Sequence, residues 1–121
     1  MTTRSACRRR HRRHRFRDDG SSRLEFVYPQ PNGAQRDVAL LDISPSGFSF
    51  EVPDELLSLD QGSTVQGITL RFSNCELRGD MLVVHVTRER GVAGALFYPA
   101  SDLDLVKLRT AVAALEAVAA D

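Results

Sequence analysis

Asp42-Ile43-Ser44-Pro45-Ser46-Gly47-Phe48-Ser49-Phe50-Glu51-Val52 is the stretch on which the fold turns. Pro45 removes a ladder donor and pushes Ser44 into extended geometry, so a strand arriving through Ile43 breaks here. Gly47 can adopt a positive φ that other residues resist. Past the break, Phe48, Phe50 and Val52 alternate with Ser49 and Glu51, the period of a strand with one buried face, and Pro53 ends it. The stretch predicts two strands joined by a polar turn.

The pattern repeats in both directions. Leu24, Phe26 and Tyr28 alternate with Glu25 and Val27 in a first strand, which Pro29-Gln30-Pro31-Asn32-Gly33 stops; the Asn-Gly pair favours a tight reversal. The second strand then runs from about Arg36 to Ile43. After a short helical turn or loop over Asp54 to Gly62, Ile68, Leu70 and Phe72 mark another strand, with Thr69 and Arg71 outward. Leu82, Val84 and Val86 repeat the alternation between Asp80 and Arg88, and Val92 to Tyr98 supplies a sixth strand. Six short strands joined by polar turns predict a small antiparallel barrel or sandwich. The end of the chain differs. Ser101 is suited to cap a helix, with Asp104 at its third position and Asp102 favourable to the dipole, and Leu105, Leu108, Val112, Leu115 and Ala119 share one face. That helix is expected to pack on the barrel.

Charge is distributed unevenly along the 121 residues. Arg4, Arg8, Arg9, Arg10, Arg12, Arg13, Arg15 and Arg17 give the first seventeen residues a charge of +8 with no acid among them, so the remainder carries −8. Residues 1–22 therefore read as a flexible basic arm closed by Asp18-Asp19-Gly20-Ser21-Ser22, and 23–121 as one acidic domain. A basic arm on an acidic body points to an anionic partner. No apolar run approaches the roughly 20 residues needed to cross a bilayer, so membrane insertion is not expected. Cys7 and Cys75 are far apart with no CxxC spacing, which predicts a reducing compartment and no zinc site. His11 and His14 sit among arginines and read as solvated tail residues. His85, opposite in parity to Val84 and Val86, is expected to face solvent or fill a polar slot and receives no function. No paired catalytic carboxylates, nucleophile-base set or metal cluster suggests an enzyme.

The order of two features carries a resemblance. Arg13-His14-Arg15-Phe16-Arg17 precedes the first strand, and Asp42-Ile43-Ser44-Pro45-Ser46-Gly47 ends the second. These resemble the RxxxR and [D/N]xSxxG motifs of the PilZ family. Gly91-Val92-Ala93-Gly94-Ala95-Leu96-Phe97 is similar to that family's glycine-to-Phe strand before its terminal helix. Arg8 with Arg12, and Arg9 with Arg13, also fit RxxxR. Arg13 and Arg17, preceded by Arg12, are preferred because the run from Arg12 to Arg17 resembles RRxxxR with an aromatic inside. Asp18-Asp19-Gly20 departs from the family pattern, in which apolar residues often lead directly into the strand.

The resemblance implies a six-stranded antiparallel PilZ-type β-barrel with a C-terminal α-helix and an Arg-rich arm. It implies a cytoplasmic bacterial receptor or adaptor for the second messenger cyclic di-GMP, with no other cofactor, that moves its arm on binding and signals to an unidentified protein target. Arg12, Arg13 and Arg17 would engage guanine and phosphate, while Asp42, Ser44 and Gly47 would form the floor. Arginine suits such a ligand because its planar fork can bind phosphate or the guanine O6/N7 edge and can stack on a base. Asp42 offers a carboxylate to guanine N1 and the exocyclic amine. Two alternatives stay open: a PilZ-like protein-interaction module that binds no nucleotide, and an arm that binds nucleic acid by neutralising phosphates. The acidic body and the absence of any arm aromatic besides Phe16 disfavour the second.

Overall fold

The computed structural model describes residues 13–17, 20–56 and 58–120, the side chains of 118–120 excepted. Arg12, His11 and the earlier arginines of the arm lie outside the described residues.

The strands are β1 (His14–Arg15), β2 (Arg23–Tyr28), β3 (Ala34–Ile43), β4 (Gly47–Glu51), β5 (Thr64–Phe72), β6 (Cys75–Thr87) and β7 (Val92–Pro99). A 3₁₀ turn at Asp54–Leu56 follows β4, and helix α1 spans Asp102–Ala120. All pairings are antiparallel, in the order β3-β2-β5-β6-β7-β4, and β4 returns to β3 to close a six-stranded barrel. Alternation of apolar residues drives the closure, since each strand buries one face in a shared interior. Leu24, Phe26, Leu40, Ile43, Phe50, Ile68, Leu70, Phe72, Leu77 and Met81 are among the residues that fill it. The six predicted strands, the short turn after Pro53 and the terminal helix are all present.

Ser101 caps α1 as expected. Its Oγ accepts the Asp104 backbone N–H at 3.2 Å and donates to Asp104 Oδ2 at 2.7 Å. Asp104 Oδ1 also accepts the Arg78 backbone N–H at 3.0 Å, tying the helix start to β6. The Arg78 N–H, followed by the Ser101 hydroxyl, holds the Asp104 carboxyl below its usual range. Leu108 and Val112 are buried against the barrel, and Leu115 and Ala111 pack beside them.

Three details differ from the sequence reading. In β6 the core residues are Leu77, Met81 and Val83, whereas Leu82 and Val84 point away from the core. Met81-Leu82-Val83-Val84 is apolar throughout and carries no parity of its own, and an irregularity between Val83 and His85 shifts the later residues, so Val86 packs on the core. β6 also begins earlier than expected. Ser73 and Asn74 both adopt positive φ, 48° and 61°, and join β5 to β6 in a two-residue hairpin. His14 is buried, at 8% exposure, rather than solvated. It sits in β1, whose register sets His14 opposite Ile43 and Arg15 opposite Asp42.

Candidate ligand site

β3 is longer than its neighbour β2, and that difference creates the site. β2 pairs with β3 only as far as Ala39. Beyond it Ser22 O accepts Leu40 N–H at 3.0 Å and Phe16 N–H donates to Leu41 O at 2.9 Å, after which β1 covers Asp42 and Ile43. The arm thus occupies the edge of β3 that β2 leaves free. The Phe16 ring packs 5.1 Å from that of Phe72 and anchors the segment by apolar contact.

Asp42 lies under this cover. It pairs with Ser49, which alternates with the core residues Phe48 and Phe50, so Asp42 and Ser49 belong to the outer face of the barrel. They are nonetheless only 6% and 4% exposed. Asp42 Oδ1 is buried and accepts no hydrogen bond among the described residues, and Oδ2 stands 4.0 Å from the Arg13 guanidinium. Arg13 is 60% exposed, so this pair contributes little by itself. An unsatisfied buried carboxylate oxygen is uncommon in a folded protein and marks a place where a donor belongs. Buried His14 Nε2 has no hydrogen-bond partner among the described residues either.

Ser44 and Gly47 form the adjoining turn. Ser44 N–H donates to Gly47 O at 2.8 Å, while Ser44 Oγ reaches Gly47 O and the Ser46 N–H only at 3.4 Å, too long to hold the hydroxyl firmly. The expected positive φ at Gly47 is not found: the residue opens β4 in extended backbone. Glycine is needed there for a different reason. A Cβ at Gly47 would lie 2.2 Å from the Ala95 carbonyl oxygen of β7. The turn is held against β7 further by the Phe97 N–H, which donates to Ser46 O at 3.0 Å.

A cleft of about 260 Å³ opens between residues 15–17, Ala39–Leu41 of β3 and the start of β7; Asp42 does not line it but stands opposite Arg15 in the β1–β3 register. Arg15, Arg17, Arg90 and Glu51 line it. None of the three arginines forms an ion pair among the described residues. Three arginines around a cleft can take an anion with a flat polar ring system. Of the residues singled out in the sequence, Arg13 meets Asp42, Arg17 lines the cleft, and Ser44 and Gly47 shape the turn. Arg12 lies outside the described residues. Arg15, Ser49 and Arg90 were not anticipated. Arg90 is brought in by the β6–β7 turn, and only the barrel closure makes it a neighbour of the arm.

Elsewhere, burial pushes the Cys75 thiol up, which leaves it protonated and poorly nucleophilic. Among the described residues no cluster of His, Cys, Asp and Glu is placed to hold a metal ion, and no helix is long and apolar enough to cross a membrane.

No protein-family model and no curated protein sequence matches the chain. Solved structures do. The complex of K. pneumonia MrkH with c-di-GMP superposes with a TM-score of 0.75 at 18% identity, covering 92% of this chain and 53% of MrkH. The PilZ domain of Escherichia coli YcgR with c-di-GMP gives 0.70 at 16% identity, over 93% of this chain and 94% of that domain. Longer YcgR with c-di-GMP gives 0.73 at 16% identity, and the present chain covers 47% of it. The chain thus spans about half the length of MrkH and YcgR and nearly all of the isolated PilZ domain. Its closed barrel and terminal helix constitute a PilZ fold.

Proposed function

We propose that this protein is a receptor for cyclic di-GMP, acting by binding rather than by catalysis. The observation that carries the reading is Asp42: a buried carboxylate on the outer barrel face, opposite Arg15 of the arm, with one oxygen accepting nothing among the described residues and an arginine 4.0 Å from the other. Guanine presents two adjacent donors, N1–H and the exocyclic amine, which match that vacant acceptor. The arginines of the arm supply forks for phosphate and planes for base stacking. In this reading Arg12, Arg13 and Arg17 grip the ligand, with Arg15 and Arg90 beside them. Ser44 offers its loosely held hydroxyl, and Gly47 positions the turn by its close approach to β7. MrkH and YcgR, which share the fold, are described with c-di-GMP bound.

The switch follows from how lightly the arm is attached. A two-residue ladder, the Phe16 N–H bond to Leu41 O and a long ion pair hold residues 13–17 to β3, and one aromatic contact joins Phe16 to Phe72 of β5. A dianionic ligand set between arm and barrel would add several charge-assisted bonds across that seam and change the arm's position, presenting a new surface to a protein target. The widely spaced cysteines agree with a cytoplasmic site of action. Nucleic-acid binding by the arm has less support, because Phe16, the aromatic that would stack on bases, packs against Phe72.

Amide hydrogen exchange of the intact chain tests the reading. Saturating cyclic di-GMP is expected to slow exchange at residues 13–17 and 42–47 while leaving the β5–β6 hairpin unchanged. Uniform exchange across both regions, with ligand bound, would refute the clamp.

A further inference from the structure

Helix α1 is apolar on two opposite faces, and the barrel uses only one. Leu108 and Val112 are buried and Ala111 and Leu115 partly so. On the other side Leu103 and Val106 are 63% and 56% exposed, and Thr110, Ala113 and Ala117 are exposed with them. At about 100° per residue these five fall in a stripe about 80° wide, roughly opposite the core-facing one. Their spacing, alternately three and four residues, is that of a heptad seam. A helix with a single partner should turn polar residues outward here. An apolar groove of about 440 Å³ between α1 and the Ser73–Cys75 region widens the same face, sharing Val106 and Thr110 with the stripe.

We propose that this face binds a second copy of the chain, helix against helix in antiparallel orientation. Two observations select that occupant and that direction. First, the seam is graded in size: Leu103 and Val106 lie in the N-terminal half, Ala113 and Ala117 in the C-terminal half. An antiparallel two-fold sets Val106 against the partner's Ala117 and Thr110 against the partner's Ala113, giving an even separation along the pair. A parallel pair would meet large against large at one end and alanine against alanine at the other. Second, Arg109 and Glu116 flank one side of the seam, and neither forms an ion pair among the described residues. The two-fold that aligns the seam brings Arg109 beside the partner's Glu116, and Glu116 beside the partner's Arg109. One symmetric contact therefore covers the stripe and pairs both charges twice.

Sedimentation equilibrium on the intact chain without nucleotide tests this. The apparent mass is expected to rise from monomer toward dimer with concentration. Val106→Asp should remain monomeric, with a circular dichroism spectrum and thermal midpoint matching those of the wild type at concentrations where the wild type is itself monomeric. Arg109→Glu and Glu116→Arg should each raise the dimer dissociation constant at least tenfold, and the doubly swapped chain should recover wild-type association. A wild-type chain that stays monomeric to millimolar concentration would overturn the proposal, and so would a dimer indifferent to Val106→Asp. Single charge swaps without effect would overturn the antiparallel arrangement.

Discussion

Replacing Asp42 by alanine should leave the free barrel as stable as before, or more so, while weakening cyclic di-GMP binding; the contrast between the two effects makes the test sharp. In the structure the carboxylate is 6% exposed, its Oδ1 accepts no hydrogen bond among the described residues, and its neighbouring cation is Arg13 at 4.0 Å. A buried acceptor left unsatisfied costs about 1–3 kcal/mol. A mostly exposed partner at that distance returns at most about 1 kcal/mol. Removing the group should therefore stabilise the free protein by between zero and about 3 kcal/mol. In the complex the same carboxylate would accept charge-assisted bonds from guanine worth about 1.5–3 kcal/mol, so its loss should raise Kd roughly 10- to 150-fold. Urea denaturation reads the first effect and calorimetric titration the second. Asp42→Asn keeps the volume and one acceptor and should fall between the two. A variant destabilised by more than about 2 kcal/mol would make Asp42 a structural group and refute the reasoning. An unchanged Kd in a folded variant would remove Asp42 from the site.

Gly47→Ala should cost about 1–3 kcal/mol in thermal or urea denaturation, because the added Cβ meets the Ala95 carbonyl oxygen at 2.2 Å and the β4–β7 ladder must yield; a neutral effect would show that the turn relaxes freely. Arg13→Ala and Arg17→Ala should each weaken cyclic di-GMP binding at least as much as Asp42→Ala, with Kd rising further in salt as exposed charges are screened beyond a Debye length of about 8–10 Å; variants that bind like wild type at every salt concentration would take the arm out of recognition. Asp104 has a folded-state pKa lowered by the Arg78 N–H and the Ser101 hydroxyl, so its contribution to stability is complete above the ordinary aspartate value of about 3.9 and is lost as pH falls through the lowered folded value. Asp104→Ala should therefore have a lower melting temperature than wild type at pH 6 and a smaller further drop between pH 4 and pH 2, and parallel melting curves for the two proteins would contradict this.

The parts of the fold that were legible in the sequence are those with a strict period. Phe48, Phe50 and Val52, or Ile68, Leu70 and Phe72, alternate with polar residues, and tertiary packing had no reason to override them. Met81 to Val84 offered four apolar residues in a row, and their facing is decided by the β5 and β7 partners and the irregularity before His85. The Ser73-Asn74 turn was missed because asparagine carries a positive φ easily but serine seldom does. At the site, Asp42, Ser44, Gly47, Arg13 and Arg17 were visible as motif positions, yet the physical role of Gly47 was not. Its constraint is a contact with β7 nearly fifty residues on, not a dihedral angle. His14 and Ser49 read as ordinary exposed polar residues until β1 and the β3–β4 pairing buried them.

The central claim, that the arm and the β3–β4 turn together bind cyclic di-GMP, is tested most directly by isothermal titration of the intact chain with cyclic di-GMP, beside GTP and a short DNA duplex. Saturable heat is expected with cyclic di-GMP, with affinity at least tenfold weaker in Asp42→Ala, and no comparable binding of GTP or DNA. No heat with cyclic di-GMP at millimolar ligand, or equal affinity for the duplex, would contradict it.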